Sequence, residues 1–336
     1  MNAFKTYDEL NERLEALADE IPEKKAAKAT AAVKKAEAYN TAFWETMHTG
    51  MAQNALKEGS DGSGGYLVPD TFDENLTEQM AQENVLRKIS QVFKTSRRLR
   101  IPVAEDMDCA AWVPEGTSIP FMDVAIGEIV IDAYKLATSI KVSDELLEDS
   151  GIDLEEYIQK IFVERIGKKE EEGFLKGTGN GMPLGLIYQT PVGAISEEAG
   201  EISIDDMIDL MHSLEEPYRK NALWLVSEDA YLKLLKITNH NGVPLWNNRL
   251  EKDEPLTLLG HPILVSTYLD SVVPGSKPVL FGDFSYYWIG ERGKRVIKRL
   301  VERYANQGQV AFLTSERVDA KLVLPEAIKC LEVKAA

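Results

Sequence analysis

Only two cysteines, Cys109 and Cys330, occur in 336 residues, and they lie far apart. That excludes a disulfide framework and favours a reducing compartment. The four histidines, His48, His212, His240 and His261, are scattered, without a His-x-His pair or an H-E-x-x-H motif. None is assigned a role, and the cysteines have no metal spacing either. No run approaches the roughly 18 apolar residues of a membrane helix. The opening MNAFKTYDELNERL has no apolar signal segment, so a protein that is cytosolic where it is made, with no membrane partner, is expected. Basic charge is scarce: 38 Lys and Arg against 55 Asp and Glu give a net −17. Such a surface repels a phosphate backbone rather than gripping it. What is present is ordinary for a globular chain, 44% hydrophobic and 28% charged, with length for two or three domains.

The dominant stretch runs from Asp153 to Gly181, DLEEYIQKIFVERIGKKEEEGFLKGTGNG. Ile158, Ile161, Phe162, Arg165 and Ile166 fall three and four apart, which predicts a helix from Asp153 to about Lys176. Asp153 and Glu156 have capping-box spacing, and Glu156–Lys160, Glu164–Lys168 and Lys168–Glu172 are opposite charges one turn apart. Gly177 reads as the left-handed stop. The second half, Lys168 to Glu172, is wholly charged, so it is expected to face water or a neighbouring subunit. Lys168, Lys169, Glu171 and Glu172 are therefore candidates for contact between copies.

Residues 1–58 read as detached helices: Leu10, Leu14, Leu17 and Ile21 form a narrow seam before Pro22, and an Ala/Lys-rich helix follows. Gly59 to Gly65 is a flexible hinge. A short amphipathic helix is expected from Phe72 to Ile89. Two extended stretches, VFKTSRRLRIPVAEDM and AIGEIVIDAYKLATSIKV, flank a polar segment at 105–123 and predict a projecting hairpin for which the chain offers no obvious cover. Its base carries Arg97, Arg98 and Arg100, which suit ion pairs between subunits. Its tip carries Glu105, Asp106, Trp112 and Glu115, which join the contact candidates. Beyond it, helices capped by Ser143, Ser203 and Ser227 alternate with strands at 222–226, 262–266, 279–281 and 317–322. Residues 294–304 fit either a helix or a strand.

No catalytic set emerges. Gly177-Thr-Gly-Asn-Gly181 follows a helix and precedes Pro183, so it reads as a tight turn rather than a phosphate loop. Glu170, Glu171 and Glu172 point in different directions on a helix, and Asp205, Asp206 and Asp209 sit where a helix dipole favours acids. Neither group is assigned a metal, and no cofactor is expected.

Ordered blocks then decide the reading: GGYLVP at Gly64, AAWVPEG at Ala110, KLATSIKVSDELLEDS at Lys135, FLKGTGNGMPLGL at Phe174, NALWLVSEDAYLKLLKI at Asn221, NGVPLW at Asn241, LLGHPIL at Leu258, FGDFSYYWIGERG at Phe281, then QVAF and LPEAIKCL. Their order and spacing resemble the major capsid protein family of tailed double-stranded DNA phages, the Hong Kong 97 fold. The resemblance implies an α+β chain: a helical extension at 1–58, an N-arm at 59–92 and an extended loop at 93–137. A peripheral domain at 138–199 and 281–316 would hold the spine helix 153–176, and 200–280 with 317–336 would form an axial domain. It favours strand for 294–304.

The implied function is an icosahedral head shell enclosing double-stranded DNA without sequence-specific binding, not an enzyme. The implied partners are copies of itself in pentamers and hexamers, with a scaffold, a head-maturation protease, a portal and decoration proteins as further candidates. Assembly would take place in a bacterial cytoplasm, and the product would be the virion. An encapsulin-type compartment is the alternative, and a cytosolic α/β enzyme a distant third. Some relatives cross-link a loop lysine to an asparagine with a glutamate assisting. Here the loop lysines, Lys94 and Lys135, lie only at its base, and Asn306 and Glu316 are poorly placed, so no cross-linking is expected.

Overall fold

The structure is a computed structural model that describes residues 34–50, 60–61, 65–104, 113, 126–149, 154–237 and 257–335. In chain order, a helix over 34–49 (α1) precedes strands Ser60–Asp61 (β1) and Gly65–Leu67 (β2) and helices Asp70–Glu83 (α2) and Val85–Ile89 (α3). Strands Gln91–Thr95 (β3), Leu99–Ala104 (β4), Ile126–Ile131 (β5) and Tyr134–Ser143 (β6) lead to helices Asp144–Asp149 (α4) and Leu154–Lys176 (α5). Leu186–Gln189 (α6), Val192–Ile195 (β7), Ile204–Ser213 (α7), Glu216–Arg219 (α8), Leu223–Ser227 (β8) and Glu228–Leu235 (α9) follow. The remainder is mostly strand, Thr257–Leu258 (β9), His261–Ser266 (β10), Val279–Gly282 (β11), Tyr287–Arg292 (β12), Val296–Leu300 (β13), Gln309–Leu322 (β14) and Ile328–Glu332 (β15), with short 3-10 helices at Phe284–Tyr286, Glu302–Gln307 and Pro325–Ala327. Within the stretch 294–304, residues 296–300 are thus strand, while 302–304 open a 3-10 helix that runs to Gln307. The helix expected from Phe72 to Ile89 is two, parted at Asn84, whose side chain caps α3 by accepting the Arg87 N–H at 3.2 Å.

The chain divides into two units. The first draws on Met1–Asn75, Ser139–Ile158 and Val296–Leu313, and β2 pairs antiparallel with β13 in it. Its α1 is not detached, which corrects the expectation for this part of residues 1–58. Phe43 and Met47 are fully buried, and the Trp44 ring meets Phe72 edge-on at 5.0 Å. Gly50 closes α1 at φ 79°, in the left-handed region, and the Arg299 guanidinium donates to the His48 carbonyl there. Aromatic residues provide the contact of α1. The leucine seam and the glycine hinge lie outside the described residues, apart from Ser60, Asp61 and Gly65.

The second unit draws on Leu76–Thr138, Gln159–Arg295 and Thr314–Ala336. Its largest sheet runs β7-β15-β11-β8-β10-β9, with β8 and β10 parallel and β11 antiparallel to both β8 and β15. Strand alternation splits its side chains between two cores. Leu225, Leu280, Ile328 and Cys330 pack with Phe174 and Leu175 of α5, while Trp224, Val226, Phe281 and Leu331 pack with Met207 and Leu210 of α7 and Leu234 of α9. Local chemistry places those helices. Ser203 and Asp206 form a reciprocal capping box on α7, and the Ser227 hydroxyl accepts the Ala230 N–H at the head of α9. The same unit holds β12 between β14, antiparallel, and β3, parallel.

After α5, Gly179 and Gly181 take φ of 78° and 72°, as the tight-turn reading requires. Gly177 does not have positive φ. It is needed because any Cβ there would collide with the carbonyl oxygens of Pro183 and Gly173.

Candidate functional site

The hairpin is a two-stranded sheet of its own, with β4 and β5 paired antiparallel from Leu99↔Ile131 to Ala104↔Ile126. Pairing in that register puts Leu99, Ile101, Val103, Ile129 and Ile131 on one face. Those side chains pack on Trp288, Val323 and Leu324 of the same unit, and Ile131 is only 1% exposed. Gly290 leaves the room Ile131 occupies, since a Cβ there would stand 2.7 Å from Ile131 Cγ2. The expectation that the hairpin finds no cover in its own chain is therefore corrected for its described strands, 99–104 and 126–131; the tip lies outside the described residues. The base is further tied by the Asp132 N–H, which donates to buried Asp319 Oδ2 at 2.8 Å.

The other face is charged and exposed. Arg98 pairs with Asp132, Arg292 stands 3.7 Å from the same carboxylate, and Arg100 pairs with Glu128 at 3.3 Å. The Arg98 hydrogen bond, ahead of the charges of Arg98 and Arg292, holds the Asp132 carboxyl below its usual value. Arg97 is exposed beside them. Exposed pairs of this kind contribute little to folding, which leaves them available for recognition. Glu105, Asp106, Trp112 and Glu115 lie outside the described residues, as does Asp153.

On α5, Lys168 pairs with Glu164 and Lys169 with Glu172, each at 2.7 Å on the exposed side. Glu171 does not join them. It is 3% exposed and accepts hydrogen bonds from the Ser266 hydroxyl and the Val85 N–H, so it is removed from the contact candidates. Burial pushes its carboxyl up, against the pull of those two donors. Its neighbour Glu170 is 2% exposed. The reason is register: the buried positions Val163, Gly167, Glu171 and Leu175 recur every four residues, as do Phe162, Ile166, Glu170 and Phe174. The inner stripe of α5 continues straight through its charged half, with two carboxylates in core positions.

Buried carboxylates require partners. Glu170 accepts both Nε and Nη2 of Arg87 at 2.7 Å, a bidentate pair. Arg87 Nη1 donates to Glu291 Oε1, Arg295 Nη2 donates to that same oxygen at 3.2 Å, and Arg295 Nε donates to Glu316 Oε2 at 2.7 Å. The result is an alternating chain, Glu170–Arg87–Glu291–Arg295–Glu316, joining α3, α5, β12 and β14. Burial alone would pull Arg87 down, but the charge and hydrogen bonds of Glu170, then Glu291 and Glu316, hold it well above its ordinary value. Sequence reading missed this chain. Its one local signal was a pair of acids at the buried spacing of a helix.

The family model described as the phage capsid family matches residues 64–333. The chain belongs to the phage capsid family. Similar curated relatives of this capsid-family chain include the major capsid protein of Klebsiella oxytoca phage phiKO2, 22% identical over 248 residues, covering 69% of this chain and 57% of that one. The major capsid protein of Escherichia phage T5 is 23% identical over 266 residues, covering 74% and 58%. The chain thus matches somewhat over half the length of each. Among solved structures, the capsid of a native GTA particle superposes with a TM-score of 0.67 at 24% identity, covering 85% of this chain and 97% of that one, and shows the shared fold. The hairpin and the long α5 of this family member both fall within the matched span. α1 lies outside it. Among the described residues no three His, Cys, Asp or Glu side chains are grouped to hold a metal, and no helix is long and apolar enough to cross a membrane.

Proposed function

We propose that this chain is a major capsid subunit whose copies, arranged as pentamers and hexamers, close into the icosahedral head of a tailed phage or phage-like particle around double-stranded DNA. The match to the phage capsid family over residues 64–333 carries this reading. In it, 93–137 is the extended loop, α5 the spine of a peripheral domain at 138–199 and 281–316, and 200–280 with 317–336 the axial domain. The exposed charges of Arg97, Arg98 and Arg100 and of Lys168, Lys169 and Glu172 are the recognition surface, together with the loop-tip residues Glu105, Asp106, Trp112 and Glu115. Each contact is modest alone, but every subunit makes several, so a closed shell gains strength through multivalency.

The net charge of −17 fits the cargo, because a basic inner wall would hold the genome by counterion release and impede its passage. Scaffold, protease, portal and decoration proteins are partners of the same proposal, with the host cytoplasm as the place of assembly and the virion as the destination. The test is electron microscopy of the full chain expressed alone. Closed shells, tubes or capsomers are expected, and a protein that stays monomeric at high concentration overturns the reading. Protein cargo instead of DNA in native particles would point to an encapsulin-type compartment.

A further inference from the structure

The alternating chain ends on an atom without a partner. Glu316 Oε1 is buried and has no hydrogen-bond donor, while Oε2 of the same carboxyl accepts Arg295 Nε. Every other end of the chain is met: both Glu170 oxygens accept Arg87, and Arg295 Nη1 donates to Thr77 Oγ1 of α2 at 2.8 Å. The charges do not balance either, since Arg87 and Arg295 face Glu170, Glu291 and Glu316, leaving one negative charge in excess. The side chains of all five are at most 10% exposed. An uncompensated charge at that depth costs several kcal/mol, so the group takes up a proton instead.

We propose that Glu316 holds a proton on Oε1 and donates it to the Glu170 carboxylate, closing the chain into a neutral ring that locks α3, α5, β12 and β14 together. One proton satisfies both deficits, for the acid C=O still accepts Arg295 Nε while its O–H supplies the missing bond. Glu170 keeps capacity for it, because each carboxylate oxygen has two lone pairs. The groups facing Glu316 are Glu170 from α5, Arg87 from α3 and Arg295 after β12, with Glu291 of β12 joining the two arginines. From α2, Thr77 Oγ1 accepts from Arg295 Nη1 and the Met80 sulfur from Nη2.

The electrostatics agree. Burial, and next the charge of Glu170, push the Glu316 carboxyl up to about 8, against the pull of Arg295 and Arg87. Because the folded state holds this proton more tightly than the unfolded chain, its stabilising effect is complete below the ordinary value of 4.5 and is lost as the pH rises through about 8. The ring is therefore a lock that alkali opens, and the proposal does not depend on shell assembly.

The test is thermal unfolding of the full chain and its Glu316→Gln variant from about pH 5 to about pH 9. Glutamine is the neutral mimic, able to accept from Arg295 and donate to Glu170. The wild-type melting temperature is expected to fall across that range relative to the variant, and the wild-type infrared spectrum near neutral pH should carry a protonated-carboxyl C=O band that the variant lacks. Parallel melting curves, an unchanged band, or a variant that cannot fold would each show that Glu316 works as an anion and overturn the proposal.

Discussion

Arg87 is 4% exposed and stands between two carboxylates on different elements, so its charge is structural. Replacing it with methionine of similar reach leaves Glu170 buried without its bidentate counter-charge and Glu291 with Arg295 alone. We expect a loss of about 3–5 kcal/mol in chemical denaturation, the cost of breaking a buried pair from one side. Gly177→Ala should cost about 1–3 kcal/mol as overpacking, because the added methyl meets the carbonyl oxygens of Pro183 and Gly173. The sequence offered Gly177 as a helix stop, which was right about position and wrong about cause. Whether a glycine answers to φ or to a close approach depends on what lies beside it, and here that is backbone brought round by the next turn.

At the scale of elements, the best-read parts are those whose determinants are local. The Ser203 capping box and the Ser227 cap are short-range hydrogen bonds, and both are present. Ser203→Ala should cost about 1 kcal/mol, measurable as a shift in denaturation midpoint. The misread parts are those whose partner comes from elsewhere in the chain. Charge in Lys168 to Glu172 suggested an outward face, yet Glu170 and Glu171 turn inward to meet Arg87, Val85 and Ser266. The base of the hairpin rests on Trp288, Val323 and Leu324, which no pattern within β4 and β5 reveals. α1 likewise belongs to the core of its unit. Phe43→Ala is expected to destabilise by about 3–5 kcal/mol, and removing residues 1–50 should expose Phe72 and lower the melting temperature further.

For the whole molecule, the charged outer face of the hairpin base gives a test that separates assembly from folding. Reversing Arg97, Arg98 and Arg100 together to glutamate should leave the melting temperature nearly unchanged, because the pairs they make are exposed. On the capsid reading the same variant should assemble poorly in sedimentation or electron microscopy. Wild-type-like particles would remove this surface from the recognition set. Denaturing gels of particles should show single chains only, since the loop lysines Lys94 and Lys135 sit in β3 and β6, at the foot of the hairpin.

The sequence by itself determined the family, through ordered blocks along the chain, and with it the α+β class, the two-stranded hairpin, the long α5 and the caps. All of these are written in neighbouring residues or in linear order. Tertiary structure alone decided which charges are buried. A carboxylate in a helical stripe looks the same to its neighbours whether water or an arginine faces it, and the arginine that faces Glu170 lies 83 residues away along the chain.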